Sequence, residues 1–95
     1  MEKGELKMFI RFIRKDCKDE ITVNMKTITY IRCVYDDKEG LYFISIGDIS
    51  NTQPWSFRFK DKESLMNAYN GIFNFQSRYP DCDLLEIGEE QGLIE

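Results

Sequence analysis

From Leu6 to Lys60 apolar residues recur at every second position, the spacing of a β-strand with one face in a core. Residues 7–15 carry Met8, Ile10 and Phe12 on one face and Phe9 and Ile13 on the other. Residues 20–25 alternate Ile21, Val23 and Met25 with Thr22 and Asn24. Residues 27–35 are dense in Thr, Ile, Val and Tyr, types that suit a pleated surface. Residues 41–46 and 55–60 complete the series, the last alternating Trp55, Phe57 and Phe59 with Ser56, Arg58 and Lys60. Turn chemistry separates them: Asp16-Cys17-Lys18-Asp19, a tight corner at Asn24–Lys26, a hairpin at Asp36–Gly40 and a longer loop at Gly47–Pro54.

After Lys60 the period changes. Leu65, Tyr69, Ile72, Phe73 and Gln76 fall at helical spacing, and Asp61 is a good N-cap with Glu63 in the first turn. The pattern predicts a helix over 62–77, with Asn67, Asn70 and Asn74 on its wetter side and Pro80 forbidding continuation. Gly71 costs the helix about 1 kcal/mol relative to Ala. Its missing side chain is expected to let the helix lie close on the sheet. Residues 83–87 read as a short edge strand, and those from Gly88 onward as loose.

The expected fold class is α+β: an antiparallel sheet or half-barrel of about five strands followed by one C-terminal helix. Such a meander either curls into a half-barrel with the helix plugging its open side, an architecture that resembles pleckstrin-homology-like domains, or stays an open sheet with the helix on one face. The order of elements is similar to that of many short bacterial and phage β-rich proteins. Residues 1–80 are read as one domain and 81–95 as an acidic tail.

Charge supports that division. Residues 1–78 hold all thirteen Lys and Arg against eleven acids, whereas 79–95 hold six acids and no base. The net charge of −4 argues against nucleic acid as a general ligand. No apolar stretch is long enough for a transmembrane helix, and the first residues lack the apolar run of a signal peptide. Cys17, Cys33 and Cys82 are odd in number and form no C-x-x-C pair, which fits a reducing cytoplasmic setting better than a disulfide framework.

Candidate chemistry is sparse. The chain has no His, the usual proton-transfer residue at neutral pH, and neither a nucleophile elbow nor a phosphate loop. Cys17 has Lys15 and Lys18 beside it, but Asp16 and Asp19 offset them. Cys33 reads as a small core residue. Asp36, Asp37 and Glu39, like Asp48, Ser50 and Asn51, fit solvated turns better than ion sites. Arg11, Arg14, Lys15 and Lys18 form a modest basic patch, while Arg58 and Lys60 alternate away from the aromatics that stacking on a base would need.

The anomaly is strands with two apolar faces. Ile28, Tyr30 and Val34 oppose Ile31, Cys33 and Tyr35, and Leu41 and Phe43 oppose Tyr42, Ile44 and Ile46. One helix covers one face, and an uncovered apolar face marks an interaction surface. The expected function is a non-enzymatic intracellular protein-interaction module, most simply a homodimer, with Tyr30, Tyr42, Ile44 and Ile46 at the interface. No cofactor, metal, nucleic acid or membrane is expected. The alternatives are an acidic, phage-type inhibitor or nucleic-acid mimic acting through residues 81–95, and then a carboxylate-dependent enzyme.

Overall fold

A computed structural model describes residues 8–15, 19–49, 52–79 and 81–95. The expectations for Lys7, Asp16, Cys17, Lys18, Ser50, Asn51 and Pro80, and for the side chain of Gln76, lie outside the described residues. The chain is α+β, with six strands in two three-stranded sheets and one helix. In chain order these are β1 (Phe9–Arg14), β2 (Asp19–Asn24), β3 (Ile28–Asp36), β4 (Leu41–Asp48), β5 (Trp55–Arg58), α1 (Lys62–Arg78) and β6 (Leu84–Ile87).

The single five-stranded antiparallel sheet is corrected. One sheet has the order β2-β1-β6 and the other β3-β4-β5. The division occurs at the expected corner, where a 3-10 turn, Met25–Thr27, interrupts one continuous path from β2 into β3. Asn24 Oδ1 accepts from the Lys26 backbone N–H at 2.9 Å, and the Thr27 hydroxyl contacts both Asn24 O and Asp48 Oδ2 at 3.1 Å. These bonds satisfy groups that a strand ladder would otherwise take up, so the chain bends without orphaned donors.

The β3–β4 hairpin follows its turn chemistry. Asp36 Oδ1 accepts from the backbone N–H groups of Lys38 and Glu39, and Gly40 takes φ +67°. Asp61 caps α1 by accepting from the Ser64 N–H at 2.8 Å.

In the C-terminal segment the short edge strand expected at 83–87 is present as β6, whereas the stretch from Gly88, expected to be loose, packs back on the fold. β6 pairs parallel with β1, from Phe9↔Leu84 to Phe12↔Ile87. Beyond it a 3-10 turn, Glu89–Gln91, leads to Gly92 at φ +87°, and Leu93 bridges Phe59 antiparallel. Ile94 N–H donates to Arg58 O at 2.9 Å, so the chain end runs beside β5. Ile87 and Leu93 are buried because they complete the core that the other strands leave open.

That core lies between the inner faces of the two sheets and α1. It contains Met8, Ile10, Phe12 and Val23 from the first sheet side, Ile44, Ile46, Phe57 and Phe59 from the second, and Leu65, Ala68 and Ile72 from the helix. Among the described residues, no polar or charged residue is buried and no helix is long and apolar enough to cross a membrane.

Candidate functional site

Strand register assigns each expected interface residue to a face. Ile31, Cys33 and Tyr35 of β3 stand opposite Ile46, Ile44 and Tyr42 of β4, and Ile44 and Ile46 in turn oppose Phe57 and Trp55 of β5. This is the inner face. Ile44 and Ile46 are completely buried on it, so they are core residues with no surface to offer a partner. Tyr42 is half-buried against the same core. Its hydroxyl donates to Asp37 Oδ1 at 3.2 Å, and burial, reinforced by that carboxylate, pushes the phenol above its ordinary range.

Tyr30 alone of the four lies on the outer face, 38% exposed. The structure therefore does not bring the expected set together. The β3–β4 register separates Tyr30 from the others, which alternation within each strand does not do. The outer face carries Tyr30, Arg32 and Val34 on β3, which sit opposite Gly47, Ser45 and Phe43 on β4. Tyr30 lies so close over Gly47 that a Cβ there would collide with its ring. The glycine makes room for the tyrosine.

β3 is also the outermost strand of its sheet, nine residues long, with no strand on its second edge among the described residues. Tyr30, Val34 and Tyr35 are exposed along it. At its end Lys62 Nζ stands 4.3 Å from the centre of the Tyr35 ring and 3.5 Å from Asp37 Oδ2. The helix N-terminus is thus moored to the hairpin beside the open edge.

Cys33 faces α1, its Sγ 3.5 Å from Met66 Sδ. Burial pushes its thiol up, and the nearby Lys62 charge opposes the shift. That setting suits packing better than nucleophilic attack. Cys82 is exposed.

The described members of the expected basic patch, Arg11, Arg14 and Lys15, are paired with acids. Arg11 meets Glu86 at 2.9 Å, Arg14 meets Asp19 at 2.6 Å, and Lys15 meets Glu89 at 2.6 Å. Two of these partners belong to the base-free segment 79–95, so its acidity answers the cations of β1. The Arg14 guanidinium holds the Asp19 carboxyl below its ordinary range. Backbone and hydroxyl contacts from Ser64 do the same for Asp61.

Asp48 receives the Thr27 hydroxyl, while Asp36 is occupied in its own turn. No group of three or more Cys, Asp or Glu among the described residues is placed to hold a metal ion. A shallow cleft runs between α1 and β6, which sequence reasoning missed because it arises from the gap between two elements far apart in pattern. Comparison with protein-family models, with curated proteins and with solved structures finds no match.

Proposed function

We propose that the protein is a non-enzymatic interaction module that pairs with a second copy along the open edge of β3. The observation that carries this reading is the nine-residue edge of β3, with no strand beside it among the described residues, bearing exposed Tyr30, Val34 and Tyr35. Such an edge offers backbone donors and acceptors to another strand, and exposed apolar side chains make the pairing favourable. A two-fold axis through Val34 sets Arg32 opposite the partner subunit's Asp36, so charges on the outer face are complementary in that register. The sheet then continues from β5 of one copy to β5 of the other. Two three-stranded sheets with one helix suit such a role because they leave sheet edges available.

Light scattering at micromolar concentration is the test. Twice the chain mass of 11.3 kDa is expected. Val34→Lys should return the particle to one chain while leaving the thermal midpoint nearly unchanged, because Val34 is a surface residue. In the Val34→Cys variant, oxidation should join two copies through that position. A strict monomer, or a dimer indifferent to both substitutions, overturns the reading.

A further inference from the structure

Gly71 breaks a local rule without a packing reason. It sits inside α1, where glycine is the least favourable residue apart from proline. A Cβ built on it meets nothing within 4 Å. Close approach of helix to sheet, the expected explanation, is therefore not what selects it. A destabilising choice with no structural return points to a function for the space above it.

That space is the cleft between α1 and β6. Two adjoining depressions, of about 310 and 390 Å³, share Asn67, Gly71 and Leu85. Together they follow the helix from Ser64 to Tyr79. Over that distance an α-helix advances roughly 22 Å, the length of six or seven extended residues at about 3.3 Å each. Asn67 and Asn74 are two turns apart on the wall, with Asn70 beside them. A side-chain amide offers donor and acceptor together, which matches a peptide group irrespective of sequence.

The opposite wall is a strand with one side unpaired among the described residues. β6 is the last strand of its sheet. Phe9 N–H donates to Asp83 O at 2.7 Å, and parallel alternation then turns the backbone groups of Leu84 and Glu86 away from β1. Charge selects among possible occupants. Glu86 and Glu90 flank one end of the cleft. Glu86 is paired with Arg11 and Glu89, just beyond, with Lys15, so Glu90 carries most of the charge offered to an occupant. Arg78 alone is cationic among the described lining residues, at the far end.

We infer that the α1–β6 cleft binds an extended, basic segment of a partner protein, which lines up along β6 and is held by the helix asparagines. Gly71 keeps the path clear, and Glu90 attracts a lysine or arginine side chain at its end. The site lies on the opposite flank of α1 from β3, so it is independent of self-association.

The test uses the full chain and a fluorescein-labelled hexapeptide of alternating lysine and valine, with a glutamate–valine counterpart as control. The basic probe should bind measurably in anisotropy titrations, and amide shifts should concentrate at Leu84–Ile87 and Asn67–Asn74. Gly71→Leu, which adds a good helix former into the open space, should weaken that binding at least tenfold while the thermal midpoint holds or rises. Glu90→Lys should weaken the basic probe and strengthen the acidic one. Equal binding of both probes, undiminished binding to Gly71→Leu, or amide shifts confined to another surface would each overturn the inference, as would no binding at millimolar peptide.

Discussion

The rings of Phe12 and Phe57 stack face to face across the two sheets, 3.7 Å between centroids and 7° from parallel. Both are fully buried, one on the middle strand of the first sheet and the other on an edge of the second. This contact closes the sandwich at its centre. Phe57→Ala removes a whole aromatic side chain where neighbouring strands cannot collapse, and is expected to cost about 3–5 kcal/mol. Urea unfolding followed by far-UV circular dichroism measures it, with a lower midpoint expected at an unchanged slope.

Leu93 distinguishes a structural C-terminal segment from a solubilising one. It is 1% exposed and bridges Phe59. Leu93→Ala should lower stability by about 2–4 kcal/mol, read from the same unfolding curve. A dispensable tail would lose almost nothing.

Gly71→Ala should raise stability by about 1 kcal/mol, because the position is helical and a Cβ there has open space. The thermal midpoint reports the gain, a rise of several degrees for a domain of this size.

Acid should destabilise the fold through Asp19 and Asp61. Both carboxyls sit below their ordinary value of 3.8 in the folded chain. A lowered folded pKa contributes stability that is present above the unfolded value and is lost as pH falls through the folded one. The decline should therefore begin near pH 4 and continue below it. In Asp19→Asn the low-pH limb of a urea-midpoint profile should be shallower than in the parent chain.

The two described cysteines should alkylate at different rates. Cys82 is exposed, whereas Cys33 is half-buried with its thiol pushed up. Iodoacetamide labelling read by peptide mass spectrometry should mark Cys82 first, with Cys33 reacting slowly until denaturant is added.

Local rules were legible in the chain wherever one segment decided its own conformation. Alternation placed β1 to β5, and Asp61 with the Leu65–Ile72 stripe placed α1. Asp36 and Gly40 announced the hairpin, and Asn24 announced the corner. Those signals depend on neighbours a few residues away, so no tertiary information was needed. Parity also grouped Tyr42 with Ile44 and Ile46 within β4, whereas the β3–β4 register was needed to set Tyr30 on the other face.

Three features were decided only by the assembled chain. Strand parity leaves open which face meets the core, and Ile44 and Ile46 became core because β4 is the middle strand beneath α1 and against Phe57. The segment 81–95 reads as acidic, yet Ile87 and Leu93 find their burial against β1 and Phe59, sequentially distant positions that local pattern does not report. The cleft beside Gly71 is space between a helix and a strand, and space has no residue of its own to read. Sequence determined the elements, because hydrogen bonding and periodicity are local; tertiary structure decided their faces, edges and gaps, because burial is shared between residues far apart in the chain.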